Sequence, residues 1–230
     1  MRKKKTSNTK YEIIQCATEL FLEKGYTDAY VTTIAKELQI SLGNLTFWFP
    51  TKEHILAEML KELCAFQAQA DAKEADKKYS LLIEYLFELA MFASVCKENH
   101  NIEDLVLAAY THPLSLGVIR ANDTERAKKV FGEFCPEWTD AEFVQAENVV
   151  SGIEYAMFMT ENTEILSFEQ RVTSCMDAIL KIYEVPKEIR KDIIVEVMAR
   201  DYQSRGKLVF ENFCKYVGEK SVEELQKTAK

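Results

Sequence analysis

Glycine and proline are scarce: the 230 residues include only seven glycines and four prolines. No run of alternating β-branched residues bounded by turn dipeptides occurs, so the pattern expected of β-strands is missing. Hydrophobic residues make up 47% of the chain and charged residues 29%, which is the balance of an ordinary globular protein and excludes a disordered one. The sequence therefore predicts an all-α fold.

Long hydrophobic runs are also absent. No segment approaches the roughly 18 uninterrupted apolar residues that indicate a transmembrane helix. The opening "MRKKKTSNTK" leads into an amphipathic pattern rather than into a secretory signal. We therefore expect a cytoplasmic protein with no membrane partner.

Motifs for metal binding and catalysis are missing as well. The six cysteines are widely spaced and form no C-x-x-C pair, and the three histidines are dispersed. Most of the cysteines interrupt apolar helical stripes, which is typical of small buried hydrophobes in a reducing compartment. No Ser/His/Asp or Cys/His arrangement and no glycine-rich phosphate loop occurs. We expect no catalytic residue, no metal ligand and no cofactor, and hence a protein that is not an enzyme.

The charged residues are unevenly distributed along the chain. The formal net charge is −8, yet residues 1–60 contain eight basic and seven acidic side chains. The basic residues that precede the first acidic one are Arg2, Lys3, Lys4, Lys5 and Lys10. This distribution indicates a polyanion partner for the N-terminal part alone. A solvated, disordered start to the chain is the alternative interpretation.

The first fifty residues contain three helical patterns. Residues 9–24 have one apolar face and end at Gly25, and a second helix is predicted over 31–38. A third is predicted over 42–49, after the turn Gln39-Ile40-Ser41. In this third helix the i, i+3, i+7 stripe of Leu42, Leu45 and Phe49 is predicted to be buried, so that Asn44, Phe47 and Trp48 face the solvent.

Two short helices joined by a three-residue turn form a helix-turn-helix pattern. In that arrangement the second helix enters the major groove of DNA. Exposed aromatic rings would then pack on thymine methyl groups. The alternatives are a hydrophobic docking patch, or rings that another helix of the same chain covers.

The remainder of the chain is predicted to be helical too. A helix is predicted from residue 52 to about 72, and a central helix, apolar on nearly every side, over 81–97. A helix that ends near Tyr110 and another over 123–134 follow. Thr139 and Glu142 form a capping box that opens a long helix to about residue 160. The last predicted segments cover 167–183 and 186–217, with a break at Gly206, and a tail helix capped by Ser221.

The N-terminal sixty residues resemble the TetR family of bacterial transcription regulators. The matching segments are "ATELFLEKGY" (17–26), "TIAKEL" (33–38) and "IS-x-G-x-L" (40–45), followed by Phe49, Lys52 and the pair Ile55-Leu56. The resemblance implies a helix-turn-helix DNA-binding domain over residues 1–53 and a helical ligand-binding and dimerisation domain over 54–230.

The resemblance also implies a set of DNA-contacting residues. Asn44 is expected to contact adenine and Lys52 a phosphate. The full set is Thr32, Thr33, Ser41, Gly43, Asn44, Thr46, Phe47, Trp48 and Lys52. The chain departs from the family pattern at Thr46, where Tyr is usual, at Tyr30, where a Ser or Thr cap is usual, and at Gln39, where Gly is usual. The recognition helix also lacks Arg and Lys, which removes the strongest guanine contact.

For the whole protein, the resemblance implies a repressor that an unknown small-molecule effector releases from a palindromic double-stranded DNA operator. Helices 140–160 and 167–183 are expected to form the interface of a homodimer. The expected effector-pocket residues are Phe87, Met91, Tyr110, His112, Tyr155 and Met159. Glu84 and Glu88, one turn apart, are either a cation-binding pair or solvated surface. A helical dimer that serves as a protein-interaction scaffold and no longer binds DNA specifically is the alternative function.

Overall fold

The computed structural model describes residues 8–71, 79–161 and 163–228. These residues form eleven α-helices and no strand, which confirms the predicted all-α fold. The basic residues at positions 2–5 lie outside the described residues. The helices are α1 (Asn8–Lys24), α2 (Val31–Glu37), α3 (Leu42–Trp48), α4 (Lys52–Asp71), α5 (Ser80–Glu98), α6 (His100–Thr111), α7 (Pro113–Phe131), α8 (Asp140–Met159), α9 (Phe168–Ile182), α10 (Lys187–Met198) and α11 (Tyr202–Thr228).

The first helix forms where its apolar stripe predicts it. Ile13, Ala17 and Phe21 are fully buried. Gly25 has a φ of +79°, and its amide donates to the Phe21 carbonyl at 2.9 Å. Because glycine adopts this left-handed conformation without steric cost, it ends the helix and turns the chain towards α2.

Helices α1 to α4 pack around one hydrophobic cluster, which we call the N-terminal core. Its central side chains include Ile34 of α2, Leu45 of α3 and Leu56 of α4. The same cluster also contains Leu105 of α6 and Phe213 of α11. The helix-turn-helix unit is therefore held by side chains from the C-terminal part of the chain, in addition to its own.

Polar contacts fix this unit to the remaining helices. The backbone amide and the hydroxyl of Thr27 both donate to the carboxylate of Asp104 on α6, each at 2.7 Å. Glu53, in the first turn of α4, accepts from the amide of Leu114 at the start of α7 at 2.8 Å. Since α7 begins with amides that have no partner inside the helix, this carboxylate caps it.

A second cluster, the body core, surrounds α5. This helix is buried on nearly all sides, as its continuous apolar sequence predicts, and it contacts α6, α7, α9, α10 and α11. Phe131 of α7 stacks on Tyr183 with ring centroids 4.0 Å apart. The capping box of Thr139 and Glu142 is present at the start of α8, as predicted.

Three predicted helix boundaries were wrong. Helix α7 begins at Pro113 and not at Asp123, because proline is compatible with a first helical position and Glu53 caps the following turn. The break expected at Gly206 lies instead between Met198 and Tyr202. Ser221 is buried inside the continuous helix α11, so no separate tail helix begins there.

Gly206 is needed for close packing rather than for a break. A Cβ atom at this position would lie 2.5 Å from Cγ2 of Val95 and 3.2 Å from the carbonyl oxygen of Met91. We expect Gly206→Ala to lower the free energy of unfolding by about 1–3 kcal/mol through overpacking. At the exposed Gly117 of α7 a Cβ would meet nothing within 4 Å, so Gly117→Ala should raise stability by about 0.5–1 kcal/mol through helix propensity.

Urea unfolding of both variants measures this difference. If Gly206→Ala were as stable as Gly117→Ala, α11 would not approach α5 as closely as described.

The six cysteine thiols are free, and four of them are buried. Burial raises the pKa of Cys64 and of Cys96 to about 12, which makes these thiols unreactive at neutral pH. Among the described residues, no helix is both long enough and apolar enough to cross a membrane.

Candidate functional site

Helix α3 is short and is fixed at both ends. Ser41 is its N-cap, and the Ser41 hydroxyl accepts from the amide of Asn44 at 3.1 Å. At the other end the amide of Phe49 donates to the carbonyl of Leu45 at 2.9 Å. Leu45 and Phe49 are buried in the N-terminal core, as predicted, so one face of α3 is held against the protein.

The opposite face of α3 is presented to solvent. Phe47 is 78% exposed, and Asn44 and Thr46 are exposed beside it. Around Gly43 there is open space, since an added Cβ would meet only the Ser41 hydroxyl, at 4.0 Å. The surface therefore carries an amide, a hydroxyl and an aromatic ring next to a position where a partner can approach the backbone closely.

Two side chains of α3 differ from the prediction. Leu42 was predicted to be buried but is 45% exposed, because it is the first helical residue and lies beyond the core that covers Leu45. Trp48 was predicted to face the solvent but is half-buried, because the last turn of α3 brings its ring against the N-terminal core. Its ring meets that of Phe47 edge-on with centroids 5.6 Å apart. Phe47 is thus the more exposed of the two aromatic residues of α3.

The neighbouring helix α2 contributes a second edge to this surface. Thr32 is exposed and Thr33 is half-buried. Tyr30, the N-cap residue of α2, makes no side-chain cap and is 62% exposed. Gln39, in the turn between α2 and α3, has a φ of +52°, which favours glycine. Tyr30 and Leu42 were not predicted to lie on this surface. Both are exposed and carry large apolar side chains, Tyr30 near Thr32 and Leu42 next to Gly43.

Lys52 lies at the side of the same unit. Its ammonium group is 4.2 Å from the centroid of the Tyr26 ring and donates to the Thr27 carbonyl at 3.2 Å. Burial lowers the pKa of Lys52, while the carboxylates of Asp104 and Asp28 act in the opposite direction. The side chain is therefore packed against the α1–α2 loop.

A cavity of about 120 Å³ lies on the other side of α4, between this helix and α5, α6, α7 and α8. Most of its wall is apolar, and its polar side chains gather towards α7 and α8. It is lined by Leu60, Leu63, Cys64, Gln67, Tyr85, Glu88, Leu89, Phe92, Val106, Ala109, Tyr110, Ile119, Asp123, Arg126, Glu154 and Phe158.

The polar end of the cavity is built around Glu154. Its carboxylate accepts from the hydroxyls of Tyr85 at 3.4 Å and Tyr110 at 2.9 Å. Burial, together with the nearby Asp123 and Glu147, raises the pKa of Glu154 to about 8. On the same helix, burial and Asp123 raise the pKa of Glu147 to about 7, although the Tyr183 hydroxyl donates to it.

The cavity includes one of the six residues predicted to line it, Tyr110. Phe87 and Met91 lie on another side of α5, where Phe87 is near Arg200 and Met91 is near Gly206. The ring of His112 packs against Tyr26, with centroids 5.0 Å apart.

The other two predicted lining residues are on α8. Tyr155 does not line the cavity, and Met159 is 51% exposed. Their neighbours Glu154 and Phe158 point inwards instead.

The sequence contained a signal for the face of α8 that lines the cavity. Glu147 and Glu154 are seven residues apart, so both lie on one face of the helix, together with the apolar Phe143, Val150 and Phe158. Glu84 and Glu88, considered for a cationic ligand, are each paired with arginine: Arg200 donates to Glu84 at 2.6 Å and Arg126 to Glu88 at 2.5 Å. Among the described residues, no three His, Cys, Asp or Glu side chains are grouped as metal ligands.

Comparison with known proteins identifies the helix-turn-helix unit. Residues 13–59 match the model of the bacterial regulatory proteins of the tetR family, and this stretch contains α2, α3 and their turn. This N-terminal stretch is therefore similar to the DNA-binding domain of the TetR family. A helical C-terminal part follows it, as the fold class predicts.

Two relatives from Bacillus subtilis (strain 168) are similar to parts of the chain. An uncharacterized HTH-type transcriptional regulator, YuxN, is 48% identical over 48 residues, which is 21% of this chain and 16% of the relative. A fatty acid metabolism regulator protein is 34% identical over 92 residues, which is 37% of this chain and 47% of the relative. The match thus spans less than half of each relative. No solved structure matches the chain significantly.

The relatives identify a general class of function. Both are named as regulators, and the family model describes regulatory proteins. The matches therefore point to a DNA-binding regulator rather than to an enzyme.

Proposed function

We propose that this protein is a TetR-type repressor that binds a palindromic operator as a homodimer and is released by a small-molecule effector. In this proposal residues 1–53 read DNA, and residues 54–230 bind the effector and form the dimer. Because the protein acts on chromosomal DNA, we place it in the bacterial cytoplasm.

The exposed face of α3 is the observation that carries the DNA-binding part of this proposal. Asn44 and Phe47 project from a helix whose other face is anchored by Leu45, so they can enter the major groove without disturbing the core. The Asn44 amide suits the N6 and N7 edge of adenine, and the Phe47 ring suits a thymine methyl group. With no Arg or Lys on α3, the centre of each half-site should be rich in A·T pairs.

Helix α4 supports control by an effector. It contributes Leu60, Leu63 and Cys64 to the cavity wall, and its first residue is Lys52, beside the helix-turn-helix unit. A ligand that favours one position of α4 would therefore shift the position of α3 as well. That one relative is named for the regulation of fatty acid metabolism supports an effector drawn from metabolism.

The outer face of α8 supports the homodimer. Val149 and Met159 are more than half exposed, and Gly152 and Ala156 lie exposed between them at helical spacing. Small residues between apolar ones let a second helix approach closely, so this stripe is suited to a copy of itself across a two-fold axis. Helix α9 packs beside α8 and would complete a four-helix interface.

Gly152→Arg is expected to convert the dimer to a monomer, because a long charged side chain would enter the middle of the interface. Gly117→Arg, on the exposed face of α7, is the matched control and should remain dimeric. Sedimentation at micromolar concentration measures both. A Gly152→Arg protein that stays as dimeric as the control would place the interface elsewhere.

A gel-shift experiment distinguishes the proposed repressor from the alternative, a helical protein-interaction scaffold. A repressor should shift fragments from the upstream region of its own gene in the presence of excess competitor DNA. Equal binding to every fragment and to the competitor would favour a helical scaffold that no longer binds DNA specifically.

A further inference from the structure

The polar end of the cavity contains a buried carboxyl group that no cation neutralises. Glu154 is only 7% exposed, and its hydrogen-bond donors are the neutral hydroxyls of Tyr85 and Tyr110. Among the described residues, no lysine or arginine forms an ion pair with it. A buried carboxylate without a positive partner is costly, so this group is stable only with a proton or with a cation that enters from outside.

The one positively charged side chain among the described lining residues, Arg126, already forms an ion pair. Arg126 donates from Nη1 to Glu88 at 2.5 Å. Asp123, on the same helix, adds a further carboxyl group to the wall, and burial raises its pKa. The described lining residues thus include three carboxyl groups and one guanidinium group, an excess of negative charge inside an acidic protein.

The rest of the cavity fits a small apolar body. Leu89, Phe92, Val106 and Phe158 form its walls. A volume of about 120 Å³ is close to that of an apolar protein cavity of about 150 Å³ that binds benzene. The site therefore has room for about one ring, with the carboxyl groups at one end.

We propose that this cavity binds a small organic cation, in which an ammonium group is joined to an aromatic ring or to an apolar body of similar size. The ammonium group lies against the Glu154 carboxylate, and the rings of Tyr85 and Tyr110 contribute cation–π attraction. The apolar body lies against Leu89 and Phe158. This inference rests on the proposed function, in which the cavity receives the effector, and names the chemical class of that effector.

Proton release gives the proposed site a specific signature. Because the pKa of Glu154 is raised to about 8, the group holds a proton at pH 7, and an entering ammonium group displaces about one proton per ligand. Several titratable and charged groups surround Glu154. They are Cys64 on α4, Tyr85 and Glu88 on α5, Tyr110 on α6, Asp123 and Arg126 on α7, Glu147 on α8, Cys175 on α9, and Tyr183 directly after α9.

Three probes of similar shape and different charge test the inference: benzylamine, benzyl alcohol and benzoate. Calorimetry on the 230-residue protein should show that benzylamine binds at least about tenfold more tightly than benzyl alcohol. Benzoate should not bind. Glu154→Gln should weaken benzylamine about tenfold, abolish proton release measured in two buffers, and leave benzyl alcohol unchanged. Glu211→Gln, at an exposed position of α11, is the control.

Three results would overturn the inference: no benzylamine binding at millimolar concentration, tighter binding of benzoate, or equal benzylamine binding by the Glu154→Gln protein. The effect of benzylamine on DNA binding is measured separately. If benzylamine binds with proton release but leaves DNA affinity unchanged, the cation site stands and the proposed effector release fails.

Discussion

Replacing Asn44 and Phe47 together with alanine is expected to weaken operator binding by about 30- to 1000-fold. This range corresponds to a loss of about 2–4 kcal/mol, since one bidentate base contact contributes about 1–3 kcal/mol and an aromatic contact adds to it. Both side chains are exposed, and no hydrogen bond from the Asn44 side chain occurs in the described part of the chain. The free energy of unfolding should therefore change little.

Fluorescence anisotropy with a labelled operator measures this loss, and Asn212→Ala on the exposed face of α11 is the matched amide control. Asn44→Ala alone should relax specificity at one or two base pairs, whereas Phe47→Ala should lower affinity at the positions that carry thymine. If the double variant bound as tightly as the control variant, the exposed face of α3 would not be the reading surface.

The stability of the protein is expected to fall by several kcal/mol as the pH rises from about 5 to about 9. Burial raises the pKa of Glu154 to about 8 and that of Glu147 to about 7, from an ordinary value of 4.5. The folded state therefore holds protons that the unfolded state has already lost. The stabilisation that these protons provide is complete below about pH 4.5 and is lost as the pH rises through 7 and 8.

Glu154→Gln should remove much of this dependence. The amide oxygen can still accept from Tyr85 and Tyr110, and no charge has to be buried at high pH. Urea unfolding at about pH 5 and about pH 9 should show a flatter profile for Glu154→Gln and a higher stability at the upper pH. The control Glu211→Gln should follow the original protein. A stability that rises with pH in the original protein would contradict the raised pKa values.

The N-terminal helices could be predicted from the sequence because each has a clear apolar face or a local stop signal. Ile13, Ala17 and Phe21 have helical spacing, and Gly25 ends the helix as predicted. Leu42 shows the limit of this reasoning. Leu42 is three residues before Leu45, as a buried helical stripe requires. Helix α3 has only seven residues, however, and its first turn extends beyond the core that covers its second turn.

The cavity could not be located in the same way. Helix α5 has apolar residues on nearly every side, so its periodicity does not distinguish the side that faces the cavity from the side of Phe87 and Met91, which faces α10 and α11. The start of α7 depends on Glu53, a residue sixty positions earlier in the chain, and such a tertiary cap leaves no local pattern. The spacing of Glu147 and Glu154 shows that they share one face of α8, but only the folded structure shows that Tyr85 and Tyr110 donate hydrogen bonds to Glu154.

Selection of bound sequences from a random DNA pool tests directly whether α3 reads a palindromic operator. We expect a palindromic site whose half-sites lie about one helical turn, roughly 34–36 Å, or a multiple of it apart, with A·T-rich half-site centres. The Asn44→Ala protein should lose the preference at one or two of those positions. A G·C-rich consensus that the Asn44→Ala protein also selects, or no enrichment at all, would contradict this expectation.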